Sequence, residues 1–211
     1  RKTFVPKHWH QLSKQQQAQV LELHLFLKQK TDGTIKGRAV AGGNKQRDYI
    51  SKEDSSSPTV ATESVLLTAV IAAEERRDTV VVDIPNAFIQ TRVEREEDKV
   101  IIRVCGYLVD VLCKIDPNYK KFVTTNKKGE KQLLLLCENA IYGTLIASLL
   151  FYNKFVKTLT RNGFELNPYD ACLANRMVDG KQQTCGFHVD DCFLTGQAAT
   201  NDAFVATLRE E

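Results

Sequence analysis

Between Cys172 and Thr195 three apolar runs follow one another so closely that only tight turns can join them. They are Cys172 to Met177, Thr184 to Val189 and Cys192 to Thr195, with Asp179-Gly180 in the first gap and Asp190-Asp191 in the second. Parallel strands need long crossovers, so gaps this short predict three antiparallel strands. Whatever else the chain builds, it must accommodate an antiparallel meander with two carboxylates at one of its turns.

Upstream, the pattern alternates between strand and helix signals. Residues 1–24 read as a polar, Gln-rich lead-in that runs into a weakly amphipathic stretch, Val20 to Leu27. Lys28 to Arg47 reads as a β-hairpin turning at Asp32-Gly33. After the Ser55-Ser56-Ser57-Pro58 breaker, a helix is expected from Thr62 to Arg77, with Leu66, Ala69, Val70 and Ala73 on its buried face. Thr79 to Ile84 reads as a central, fully buried strand closed by Asp83, and Pro85 ends it and begins a helical turn through Phe88. Lys99 to Val104 and Gln132 to Cys137 are further strands. A helix over Leu145 to Arg161 carries the stripe Leu145, Leu149, Tyr152, Val156 and Leu159, and a last helix starts near Thr200.

Composition narrows the class. With 211 residues, 43% of them hydrophobic and 26% charged, the chain is of ordinary globular make-up, which argues against disorder and disulfide miniproteins. The net charge of +3 does not announce a nucleic-acid binder. It hides a local asymmetry: Lys28, Lys30, Lys36, Arg38, Lys45 and Arg47 face a single acidic residue, Asp32, in the hairpin window. Six scattered cysteines without a CxxC pair point to free buried thiols in a reducing compartment rather than to zinc. The longest uncharged apolar stretch, Asn139 to Asn153, is too short for a bilayer span. Because the chain opens on Arg1, it is expected to be a piece of something longer.

The carboxylates are the candidate chemistry. An Asp at a strand end or a turn ordinarily bonds local backbone donors, and Asp83, Asp190 or Asp191 alone would mean no more. Two adjacent carboxylates beside a third repel one another unless cations are bound. Hard divalent ions take such oxygens, and two of them can clamp the attacking and leaving oxygens of a phosphoryl transfer.

Several motifs then line up with one family. Val82-Asp83-Ile84-Pro85-Asn86-Ala87-Phe88 resembles Leu-Asp-Val-x-Asn-Ala-Phe, and Phe187-His188-Val189-Asp190-Asp191 resembles the Tyr-Val-Asp-Asp box, both from the reverse transcriptase of Ty1/copia-type LTR retrotransposons. In the family's order, Lys36-Gly37-Arg38-Ala39-Val40-Ala41, Ser57-Pro58-Thr59-Val60, Ile141-Tyr142-Gly143, Asn162-Gly163-Phe164 and Asp170-Ala171-Cys172-Leu173 also resemble family segments. The resemblance covers roughly residues 25–200.

It implies an α+β fold, the fingers and palm of a right-hand polymerase, with an antiparallel palm sheet backed by helices. Residues 25–80 would be fingers-like, residues 81–211 palm-like, and the thumb absent. Asp83, Asp190 and Asp191 would be catalytic and would hold two Mg²⁺ (or Mn²⁺), with the backbone carbonyl of Ile84 as a further ligand. Lys36 and Arg38 would grip the incoming triphosphate. Phe88 would lie beneath its sugar and exclude a 2′-hydroxyl, with Asn86 and Ala87 lining the same pocket; taken alone, Phe88 reads as a core aromatic. Expected partners are an RNA or DNA template with primer, dNTPs and the rest of a retrotransposon polyprotein, with no membrane, in the cytoplasm (in virus-like particles) or the nucleus.

The chain departs from the pattern in places. Thr144-Leu145-Ile146 stands where the family has Leu-Lys-Gln, His188 where it has Tyr, and Pro85 where a polar residue is common; Phe151 falls near the usual Trp. Two rival functions fit the same residues. One is a two-metal nuclease, with His188 sharing a face with Asp190 by strand alternation and activating water. The other is a catalytically decayed relic or nucleic-acid-binding module of the same fold.

Overall fold

The computed structural model describes residues 3–210, so Arg1, Lys2 and Glu211 lie outside the described residues. Contacts group the chain into two compact units, residues 1–56 with 88–150, and residues 57–87 with 151–211. This grouping follows contacts, whereas the expected three-part division follows the order of motifs along the chain.

In the first unit, strands β1 (Phe4–Lys7), β2 (Leu21–Gln29), β3 (Ile35–Ala41), β5 (Ile101–Cys105), β6 (Thr124–Thr125) and β7 (Lys131–Cys137) form one sheet. Its order is β1-β7-β5-β2-β3, and β6 also pairs with β7. Leu21, Ile102, Val104, Leu133 and Leu135 are its buried centre, joined by Val109 of helix α4 (Tyr107–Ile115). The Gln-rich start is more structured than a lead-in: β1 pairs with β7, and α1 (Lys14–Ala18) is closed by a capping box between Ser13 and Gln16. Val20 to Leu27, expected to be weakly amphipathic, belongs largely to β2, because Leu21 and Glu22 pair in parallel with Ile102 and Arg103. The Asp32-Gly33 hairpin forms, with Gly33 at φ +83°, but it ends at Ala41 instead of Arg47. A short helix α2 (Lys52–Ser55) precedes the breaker.

The second unit holds a five-stranded sheet ordered β4-β11-β10-β9-β8, made from β4 (Asp78–Asp83), β8 (Glu165–Leu166), β9 (Leu173–Val178), β10 (Lys181–His188) and β11 (Asp191–Gly196). The antiparallel meander predicted from its tight gaps is β9, β10 and β11. Helix α5 (Ala147–Arg161) brings residues 151–161 to this unit, and α6 (Ala198–Glu210) follows β11. On the face carrying Cys185, Phe187, Cys192 and Leu194, Phe155 of α5 meets Phe187 edge-on at 5.0 Å. Arg176 is stacked 4.5 Å from Phe164 and 5.2 Å from Phe204, and its guanidinium donates to Gln183 and to the Asn162 carbonyl. Gln183 donates in turn to Asn201, which donates to Asp78, so a continuous polar network pins α6 to the sheet.

Several sequence expectations are corrected here. Among the described residues β4 is an edge strand whose only partner is β11, and Val81 is 76% exposed. A run of valines reports fit to a pleated surface, and burial does not follow from it. Helix α3 (Thr62–Glu74) forms, but Leu66 and Val70 are 61% and 65% exposed while Thr68 and Ala72 are buried. Its end is fixed by Arg76 at φ +52°, with Arg77 N–H bonded to the Ala72 carbonyl and Arg76 N–H to that of Ala73, a Schellman closure without glycine. In α5 Leu159 is buried as expected, but Phe151, Phe155 and Thr158 are buried in place of Leu149, Tyr152 and Val156, which are only half-buried. Pro85 to Phe88 forms a turn, not a helical turn, because Asn86 takes φ +57°. Among the described residues, no helix is long and apolar enough to cross a membrane.

Candidate active site

Strand pairing brings the separated carboxylates together. In β11 Asp191 is the direct Cα partner of Asp83 on β4 and, on its other side, of His188 on β10. One cross-strand row therefore reads His188, Asp191, Asp83. Asp190 sits in the two-residue turn beside that row, and its carbonyl accepts the Ile84 N–H at 2.9 Å, extending the ladder one step past Asp83. Positions 83 and 191 are thus neighbours although more than a hundred residues separate them along the chain.

The arrangement is held against two local penalties. Like charges directly opposite each other across strands are unfavourable. Val189, which starts the turn, takes φ +54°, a conformation that β-branched residues rarely adopt and that costs about 1–3 kcal/mol. What holds it is the frame behind: Gln183 to Phe187 on β10 and Cys192 and Leu194 to Gly196 on β11 are buried. Gly186 has no side chain because a Cβ there would collide with the Phe193 ring and Leu173. The Cys185 thiol is pushed well above its usual range by its hydrogen bond with Cys192 and by burial, so it stays protonated. Val189 also breaks the two-residue alternation, so His188 shares its row with Asp191, where alternation alone had paired it with Asp190.

The donor chemistry fits a hard divalent cation: exposed carboxylates at 83 and 191, a half-buried one at 190, and backbone oxygen beside them. The fit lies in donor type and strand register. Among the described residues, no three acidic, His or Cys side chains are gathered into a set that could hold a metal.

Asn86, exposed, and Ala87, buried, occupy the turn after β4 in the second unit, whereas Phe88 falls in the first. There Phe88 is half-buried and packs on Tyr142 with ring centroids 4.6 Å apart. Lys36 and Arg38 lie on β3 in the first unit, both exposed; Lys36 is opposite Lys28 and Arg38 opposite Phe26.

Two residues that organise these elements enter the sequence reading only as members of family segments, with no role assigned. Asp170 accepts the Ala61 N–H at 3.0 Å and the Cys172 N–H at 2.9 Å, and so caps α3, whose own N-cap position is an alanine. Burial tends to raise its pKa, but the hydrogen bonds from Ser64, Ala61 and Cys172 outweigh it and hold the carboxyl below the usual range. Tyr142 is the second; the sequence marks it as part of the Ile141-Tyr142-Gly143 family segment but not for its contact with Phe88.

The fold and the site together define a mixed α+β chain that presents acidic residues from a hairpin turn and from the adjacent strand. A family model described as reverse transcriptase (RNA-dependent DNA polymerase) matches residues 7–208, and the chain belongs to that family, the one found in copia-type elements. A comparison with curated proteins gives no match. Reverse transcriptases act with template nucleic acid and dNTPs and generally use divalent metals.

Proposed function

We propose that this chain is the reverse transcriptase core of a copia-type retrotransposon polyprotein, making DNA on an RNA or DNA template by two-metal nucleotidyl transfer. The observation that supports it most is the row that sets Asp191 against Asp83 with Asp190 in the adjoining turn, within a chain of this family. On this reading the sheet carrying that row is the palm and the β2–β3 hairpin belongs to the fingers.

Asp83, Asp190 and Asp191, with the Ile84 carbonyl, would hold two Mg²⁺. When bound, these ions lower the pKa of the primer 3′-hydroxyl and offset the charge on the departing pyrophosphate. The protein's own part is placement. Strand register fixes the spacing of the carboxylates, so little reorganisation is needed as charge develops at the reacting phosphorus. Arg38 binds phosphate oxygens through its planar fork, and Lys36 adds a second cation on the same strand. Phe88 stands beneath the sugar and excludes a 2′-hydroxyl, with Asn86 and Ala87 beside it.

The test is extension of a labelled primer on an RNA template. We expect growth of the primer that requires dNTPs, stops with chelator and resumes on adding Mg²⁺. Shortening without dNTPs would replace this reading with a nuclease, and inertness under every condition with a relic of the fold.

A further inference from the structure

The family motif around Tyr142 and the end of the basic hairpin are joined backbone to backbone within the first unit. Ala41, the last residue of β3, donates its N–H to the Tyr142 carbonyl at 2.7 Å. Gly143 takes φ +90° and lies so close that a Cβ on it would collide with the Ala41 carbonyl and the Val40 side chain. Gly43 is equally constrained, since a Cβ there would run into the Gly143 carbonyl. Just beyond, the buried side chain of Gln46 accepts the Leu145 N–H at 2.9 Å. The Tyr142 backbone is therefore fixed on both sides, and its ring meets Phe88 at 4.6 Å and a tilt of 54°. Tilted aromatic pairs at this separation are favourable beyond the area they bury.

We infer that Tyr142 is a positioning residue for Phe88 and thereby sets discrimination between deoxyribonucleotides and ribonucleotides. The inference rests on the proposed polymerase reading and deepens it. Phe88 is half-buried in a turn, and a ring so placed can choose among rotamers unless something blocks the alternatives. Tyr142 blocks them from a segment that two close glycine approaches and two hydrogen bonds tie to β3 and to Gln46. The same junction anchors the strand that carries Lys36 and Arg38, so the phosphate grip and the sugar gate share one support.

The experiment is single-nucleotide primer extension by the 211-residue chain, comparing a dNTP with the matching rNTP for wild type, Phe88→Ala, Tyr142→Leu and Tyr142→Phe, with thermal melting of each. Phe88→Ala should admit ribonucleotides. Tyr142→Leu should raise rNTP relative to dNTP incorporation about three- to tenfold, through KM for the rNTP more than kcat for the dNTP. Tyr142→Phe should restore wild-type discrimination, which a purely stabilising role would not require. If Phe88→Ala relaxes discrimination and Tyr142→Leu, still folded, does not, the inference fails and the gate stands. Should Tyr142→Leu fail to fold, Tyr142→Met, which also removes the ring, decides: relaxed discrimination supports the inference and unchanged discrimination overturns it. If Phe88→Ala changes nothing, or the wild-type chain incorporates neither nucleotide, the underlying reading fails and takes the inference with it.

Discussion

The two charged hairpins of this chain solve the same problem in opposite ways. Both place like charges opposite each other: Lys28 faces Lys36 in one, and Asp191 faces Asp83 beside the turn of the other. The basic hairpin is a free-standing arm. Among the described residues β2 pairs with β5 only at Leu21 and Glu22, and every residue from His24 to Ala39 is exposed. Its repulsion is therefore relaxed by water and salt. The acidic turn is framed instead, since β10 lies between β9 and β11, β11 lies between β10 and β4, and their centres are buried. Its repulsion and the strained Val189 persist because the surrounding sheet over-determines the conformation. On the proposed reading the difference is functional: metal ligands need fixed spacing, whereas a phosphate grip can close on its ligand.

The largest effect that would break the comparison concerns the framed turn. Asp191→Asn should lower primer extension by about a hundredfold or more while leaving the melting temperature level or higher, since one opposed charge is gone. Normal extension would remove Asp191 from the site. In the arm, Arg38→Ala and Lys36→Ala should each raise KM for dNTP about tenfold or more without moving the melting temperature, because both side chains are exposed. A changed melting curve with unchanged KM would make them structural.

Glycine substitutions sharpen the contrast in rigidity. Gly186→Ala should destabilise the chain by about 1–3 kcal/mol in denaturant unfolding, because Phe193 and Leu173 fill the space a methyl would take. Gly37→Ala, where a Cβ would meet only Leu27 at 3.4 Å and Leu25 at 3.9 Å, should be neutral or stabilising by about 0.5 kcal/mol. Equal losses at both positions would mean that the arm is as tightly packed as the sheet.

The smallest expected effect is at the α3 cap. Asp170→Asn should cost about 1 kcal/mol, because the two carboxylate oxygens each accept a backbone N–H and the amide keeps only one acceptor. Because the folded carboxyl titrates below its unfolded value, that contribution is complete above about pH 4 and is lost as pH falls through the lower folded value. A wild-type minus variant difference that grows on acidification would contradict it.

The meander was legible because short gaps leave antiparallel pairing as the only economical route. Asp83 and the Asp190-Asp191 turn could be singled out because motif order survives along the chain, while their side-by-side register is visible only in the strand pairing. Burial was not. Thr79 to Asp83 has the residues of a central strand, yet nothing in five consecutive side chains says whether a second neighbour will pair, and here none does among the described residues. The stripe on α3 failed for a related reason: its apolar residues exceed what one face can bury, so sequence periodicity could not choose between them. Ile146 reverses the usual logic of a motif departure. It is 7% exposed, so the apolar side chain suits its place in the fold, and the polar residue of the family pattern would there need a buried partner. Tyr142 and Asp170 act through contacts with residues far away in the chain, which local pattern cannot reveal.

Isothermal titration with Mn²⁺ on wild type, Asp83→Asn and Asp191→Asn tests most directly whether paired strand ends form a cation-binding centre. Binding weakened about tenfold or more in each variant is the predicted result; identical isotherms for all three proteins would contradict it.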